Sequence, residues 1–294
     1  MMELPLVVGV DGSEPSLRAV DWAADEAVLR KVALRVVYAS LWERYEGGSL
    51  SADLGKPSEE VLAQDVVDHA AKRALTRHPH LTVVRVVLPE EPEYALVREG
   101  RQASALVVGS RGRSGIAEFL LGSVSLSVAA QADCPVIVLR GSHDKQAVPG
   151  ARGRILLGVG EDATESPAVR FAVDEARRRE VPLEAVRAWR CPAHETTDHP
   201  LMAGEPARLH EERAVEALEW ALKDLPADAD VRRRTVEGPA RKVLADLSHE
   251  ADLLVVGAKR REGHFGIQLG RVAHAVLHHS ACPVAVVPQK VRAQ

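Results

Sequence analysis

The sequence is poor in the features that mark several function classes. Aromatic residues make up 3% of the chain, too few for the stacking platforms that hold single-stranded nucleic acid. No sign of charge dominates: 38 Lys and Arg face 42 Asp and Glu, for a net charge of −4. That balance gives no electrostatic reason to bind phosphate backbones or anionic membranes. The cysteines are Cys134, Cys191 and Cys282, with no CxxC pair, so neither a disulfide framework nor a structural zinc site is expected. No apolar run approaches the ~18 residues of a membrane span. The opening Met1-Met2-Glu3-Leu4-Pro5 lacks the basic and apolar parts of a secretory leader. No nucleic-acid or membrane partner is expected, and a cytoplasmic location is. What remains is an ordinary globular composition, 46% hydrophobic and 27% charged, over 294 residues. That length suggests two domains.

Self-comparison shows one unit written twice. Ala23-Ala24-Asp25-Glu26-Ala27 returns as Ala172-Val173-Asp174-Glu175-Ala176, 149 residues on. Ala105-Leu106-Val107-Val108-Gly109 returns as Leu253-Leu254-Val255-Val256-Gly257, and Cys134-Pro135-Val136 as Cys282-Pro283-Val284, both 148 residues on. Ordered matches at a nearly constant offset imply a tandem duplication of domain-sized units. The join is polar and carries Gly and Pro without a hydrophobic period, which is linker composition. Expected boundaries are a first domain at 1–141, a linker at 142–152 and a second domain at 153–294.

Short Val-rich runs alternate with longer amphipathic stretches. In the first copy, strands are predicted at 5–10, 33–39, 81–88, 104–109 and 135–139, with helices at 15–30, 57–77, 92–102 and 122–131. In the second copy, strands are predicted at 154–159, 182–188, 229–236, 252–257 and 283–287, with helices between them. Continuous apolar strands are buried on both faces, and strand–helix alternation implies right-handed crossovers and a parallel sheet. The fold class is therefore α/β: two tandem doubly wound sandwiches, each with a five-stranded parallel sheet.

In such sheets ligands sit beyond the carboxyl ends of the strands, where strand order reverses. After the first strand comes Val10-Asp11-Gly12-Ser13; after the fourth comes Gly109-Ser110-Arg111-Gly112-Arg113-Ser114-Gly115; Gly122-Ser123-Val124 opens the next helix. Gly109 and Gly112 allow backbone N–H groups to approach an anion, because no Cβ intervenes. Gly122-Ser123 adds a helix N-terminus and a hydroxyl, both suited to phosphate oxygens. Asp11 suits ribose hydroxyls or a metal carried on the phosphates; its alternative role is an N-cap. Arg111 and Arg113 are either anion contacts or solubilising loop charges. GxxxxGK[ST] is absent, so this is not a P-loop NTPase, and no GxGxxG follows the first strand to support a dinucleotide fold of that kind.

The spacing Gly109-x2-Gly112-x9-Gly122-Ser123 resembles the nucleotide-binding motif of universal stress proteins. It is preceded by Leu106-Val107-Val108 and followed by Cys134-Pro135-Val136-Ile137-Val138, as in that family. Val8-Gly9-Val10-Asp11-Gly12-Ser13 and Ala19-x2-Trp22-Ala23 are similar to its first strand and helix. The resemblance covers the chain as two copies. It implies that Gly9, Val10 and Asp11 contact adenosine and that Ala39 faces adenine. It further implies that Val108, Gly109, Arg111 and Gly112 form the phosphate loop, and that Gly122, Ser123 and Val124 hold phosphates and ribose. The implied ligand is ATP, with Mg2+ accompanying it, and the implied function is a nucleotide-dependent sensor or regulator of the stress response that acts on an unidentified protein partner. It also implies that the two copies pair within the chain as a pseudo-dimer, with a homodimer of chains as a further state. A slow ATPase or self-phosphorylating enzyme, and a scaffold that binds no ligand, are the alternatives; no catalytic residue is assigned.

The second copy departs from the motif. Gly257 and Gly270 are kept, but Arg260 stands where the second Gly belongs, Arg271 where Ser would be, and Gly160 at the position of Asp11. A Cβ and long side chain at 260 obstruct close backbone approach, so weak or no ATP binding is expected there. The competing reading is an anion gripped by Lys259, Arg260, Arg261 and Arg271. Elsewhere, Cys134 and Cys282 read as small buried hydrophobes, and the tryptophans as core or interface residues. His194 and His199 fit no ligand spacing, and His278-His279 read as the exposed end of the last helix.

Overall fold

The computed structural model describes residues 4–41, 59–110, 121–139, 152–160, 166–191, 205–226, 228–260 and 269–290. The chain divides into two compact units, Met1–Ala147 and Val148–Gln294.

The first unit runs β1 (Leu6–Val10), α1 (Glu14–Arg30), β2 (Leu34–Ala39), α2 (Glu59–Arg77), β3 (Val83–Leu88), α3 (Pro92–Gly100), β4 (Ala105–Gly109), α4 (Ser123–Gln131) and β5 (Val136–Leu139). Its strands are parallel in the order β3-β2-β1-β4-β5. β1, β4 and β5 are buried at every residue, as their unbroken apolar runs require. The edge strand β3 is only half-buried.

The second unit repeats the plan with β6 (Ile155–Gly158), α5 (Pro167–Arg179), β7 (Leu183–Trp189), α6 (Glu205–Ala221), β8 (Val231–Glu237), α7 (Ala240–Leu247), β9 (Leu253–Arg260), α8 (Arg271–His279) and β10 (Val284–Lys290). The order β8-β7-β6-β9-β10 is the same topology.

The copies also share their local devices. α1 is capped by Ser13, whose hydroxyl accepts from the Ser16 N–H, with Pro15 in the first turn. α5 is capped by Ser166, with Pro167 in the first turn. This pairing of a hydroxyl cap with an early proline starts helices because neither demands an intrahelical donor. Both helices end on a left-handed residue that is not glycine, Lys31 at φ 58° and Glu180 at φ 55°. Each unit buries an acid in this helix: Glu26 pairs with Arg30 at 2.5 Å, and Glu175 with Arg178 at 3.0 Å and with Arg179. Buried charges persist only when paired in this way.

One departure from expectation bears on function. β9 and β10 run three residues further than the apolar pattern predicts. Ala258, Lys259 and Arg260 pair in register with Pro288, Gln289 and Lys290. In the first unit the strand matching β9 ends at Gly109, with Ser110 outside it, and the residues matching 288–290 lie outside the described residues.

Candidate nucleotide site

Order reverses between β1 and β4 in the first unit, so the crevice opens at the carboxyl ends of those two strands. Asp11 follows β1 directly. Its Oδ1 accepts from the Ser13 N–H at 3.0 Å and from the Ser13 hydroxyl at 2.5 Å. The Ser16 hydroxyl donates to the Ser13 carbonyl at 2.8 Å and accepts from the Asp11 N–H at 3.3 Å. The N-cap is thus Ser13, not Asp11. The carboxylate braces the cap and is held at the crevice edge by it.

Gly109 ends β4 against the first turn of α1. A Cβ there would lie 2.8 Å from the Pro15 carbonyl oxygen and 3.1 Å from the Ser16 nitrogen. Both are backbone atoms, so only glycine allows this approach. Gly9 on β1 is also tight, but there a Cβ would meet the Leu96 side chain at 2.9 Å.

α4 is tied back onto the same strand end. The Gly122 N–H donates to the Ser110 carbonyl at 2.7 Å, and the Ser125 hydroxyl to the Gly109 carbonyl at 2.6 Å. Gly122 is the N-cap and supplies no side-chain hydrogen bond. The helix therefore begins beside β4 with its first N–H groups uncapped by a side chain, a setting that favours anions. Ser123 is exposed, Val124 is half-buried, and Val108 and Val10 are buried. Ala39 closes β2 one residue beyond Tyr38, which pairs with Val10, so it sits at the same edge as Asp11.

The structure therefore brings Gly9, Val10, Asp11, Ala39, Val108, Gly109, Gly122, Ser123 and Val124 to one end of the sheet. Arg111 and Gly112, together with Arg113, Ser114 and Gly115, lie outside the described residues, as do His194, His199 and Arg261. Among the described residues no group of His, Cys, Asp and Glu side chains is placed to hold a metal, and no helix is long and apolar enough to cross a membrane.

The same place in the second unit is built differently. A Cβ on Gly257 would lie 2.4 Å from Nε2 of Gln289 and 2.6 Å from its Cδ. The Gln289 side chain thus covers the glycine and donates to the Ser166 hydroxyl at the start of α5. Gly160, at the position of Asp11, is exposed and has nothing around it within 4 Å of a would-be Cβ. Arg260, in the place of the second motif glycine, is a paired strand residue.

Sequence reasoning did not find Gln289. The available signal was that Gly141 occupies the equivalent position, 148 residues earlier. The remaining side chains follow expectation in part. Cys134 and Cys282 are buried, and burial pushes the Cys282 thiol up to about 11. Trp22 is in the core, whereas Trp220 is 58% exposed, with the Lys223 ammonium 3.7 Å from its ring centre. His278 and His279 lie in the last turn of α8.

Comparison with known proteins agrees with this architecture. The model of the Universal stress protein family matches twice, over residues 4–140 and 151–288. A universal stress protein of Mycobacterium tuberculosis is 31% identical over 303 residues, covering 97% of each chain. The crystal structure of a universal stress protein from Archaeoglobus fulgidus superposes with a TM-score of 0.66 over 97% of this chain and 98% of its own, at 17% identity. Another A. fulgidus universal stress protein, solved in complex with dAMP, is 26% identical over 48% of this chain and 100% of its own, with a TM-score of 0.36.

Proposed function

The chain belongs to the universal stress protein family, and on that premise we propose that its first copy binds an adenine nucleotide, with ATP as the ligand. The second copy does not bind it. The bound state would act as a nucleotide-dependent signal in the stress response rather than as a step in turnover. The observation that carries this reading is the contrast at one glycine. Beside Gly109 the neighbours are backbone atoms of a helix start, next to a second helix that opens without a side-chain cap. Beside Gly257 the space is filled by Gln289.

In this reading Gly109 and Gly122 place backbone donors against the phosphates, with Arg111 and Gly112 completing the loop. Ser123 adds a hydroxyl, Val108 and Val124 line the pocket, Asp11 with Gly9 and Val10 takes the ribose side, and Ala39 faces the base. Mg2+ would arrive already coordinated to the phosphates, with the Asp11 carboxylate at the end of β1 as the acid offered to it.

The test is the stoichiometry of ATP binding to the full chain by isothermal titration calorimetry. One equivalent is expected, lost in Asp11→Ala. Two equivalents would overturn the reading of the second copy, and none at millimolar nucleotide would overturn the site.

A further inference from the structure

Helices α7 and α8 of the second unit enclose a groove of about 450 Å³. Arg241 and Lys242 form one wall, and His274, His278 and His279 the other. The His274 and His278 rings lie 4.6 Å apart, one turn apart on α8, and His278 and His279 are 6.3 Å apart. No carboxylate is among the described residues that line the groove.

This chemistry is not required by the fold, because the first copy does without it. At the five equivalent positions, 148 residues earlier, α3 and α4 carry Glu93, Tyr94, Leu126, Ala130 and Gln131. Tyr94 is 64% exposed, so the position also faces outward there. Nor does net charge explain it, since the whole chain is at −4. Two fixed cations and three imidazoles line one groove.

We propose that the α7–α8 groove is a docking surface for an acidic segment of a protein partner. The nitrogen-bearing side chains, the two fixed cations and the three imidazoles, are spread along the groove rather than focused on a point. From His274 to His279 α8 rises about 7.5 Å, so a compact monoanion meets only part of the set. Carboxylates spaced along a peptide can meet both walls, and steering by such a patch speeds encounter. The inference concerns the second copy and does not depend on nucleotide binding in the first.

The test is fluorescence anisotropy of a fluorescein-labelled Glu-rich peptide with the full chain at low salt, beside its Gln-for-Glu counterpart. The Glu peptide should bind and weaken as sodium chloride is added, and the Gln peptide should not bind. A variant carrying the first copy's residues, Arg241→Glu, Lys242→Tyr, His274→Leu, His278→Ala and His279→Gln, should bind at least about tenfold more weakly, the effect of several surface pairs lost together. Its thermal transition should stay near that of the wild type. If that variant does not fold, Arg241→Gln with Lys242→Gln must give a loss in the same direction. Equal binding by either folded variant, equal binding of the Gln peptide, or inorganic tripolyphosphate binding where the Glu peptide does not, each overturns the proposal.

Discussion

Alanine at the two equivalent glycines should have unequal consequences. In Gly109→Ala the new methyl lies 2.8 Å from the Pro15 carbonyl oxygen and 2.9 Å from its carbon. Neither atom can rotate away, so β4 and the first turn of α1 must separate. Overpacking of this kind costs about 1–3 kcal/mol, less about 0.5–1 kcal/mol gained by replacing glycine in a strand. The net loss is about 0–2.5 kcal/mol, with a midpoint near 1 kcal/mol or roughly 3 °C for a unit of this size. In Gly257→Ala the clash is with the tip of Gln289, which can swing aside. That loses one hydrogen bond to Ser166, about 0.5–1.5 kcal/mol, against the same gain, so the net change is near zero. Nucleotide separates the two further. At a hundredfold excess over Kd, ATP should stabilise the wild type by about 2.7 kcal/mol. Gly257→Ala should keep that shift. Gly109→Ala should lose most of it, because Ser16, which holds the Asp11 N–H, is displaced. Differential scanning calorimetry of the full chain with and without ATP reads both effects. Equal losses of stability, or an undiminished ATP shift in Gly109→Ala, would refute the reasoning.

Three other expectations follow from named contacts. Glu175→Gln should destabilise by about 1–3 kcal/mol, since it removes the carboxylate that pairs with the buried side chain of Arg179 and with Arg178; a denaturant midpoint within error of the wild type would contradict this. Glu180→Gly should stabilise by about 0.5–1 kcal/mol, because the left-handed φ of 55° carries no Cβ penalty in glycine; urea melts would show the gain. At pH 8 iodoacetamide should modify Cys191 before Cys282, whose buried thiol is pushed up to about 11 from 9.0, as peptide mass spectrometry would read. A native pKa above the unfolded one means the buried thiol's contribution is intact below about pH 9 and fades towards about pH 11. The size of that alkaline loss is about 3 kcal/mol, and Cys282→Ala should flatten it.

The sequence made the sheet legible because its central strands are unbroken apolar runs. Leu6–Val10, Ala105–Gly109 and Val136–Leu139 could hardly be placed elsewhere than in a doubly covered layer. The duplication then supplied a second, independent reading of every element. It was less informative where structure is set by a neighbour rather than by a residue's own period. Ala258-Lys259-Arg260 and Pro288-Gln289-Lys290 are polar and include a proline, so nothing local marks them as strand. They pair because each lies opposite the other. Asp11 shows the same limit at the site. Its sequence position favours a ligand contact with a cap as the alternative, and only the hydrogen bonds of Ser13 show the cap to be the serine's.

These two limits share a location, and the difference proposed between the copies lies there too. The carboxyl edge of a parallel sheet is a part of this architecture whose loops the core does not dictate, so the copies can diverge there at little cost in stability. In the first copy β4 ends at Gly109, with Ser110 already outside the strand, and Gly109 lies against the backbone of the first turn of α1. In the second, extended pairing carries Gln289 onto Gly257 and ties it to the cap of α5. Reopening that edge would require more than restoring Gly at 260. The Gln289 side chain would also have to leave Gly257, so Arg260→Gly alone should leave the second copy without nucleotide, whereas Arg260→Gly with Gln289→Gly removes both obstacles. A second equivalent of ATP bound by Arg260→Gly alone, in the same calorimetric titration, would show that the glutamine does not close the site.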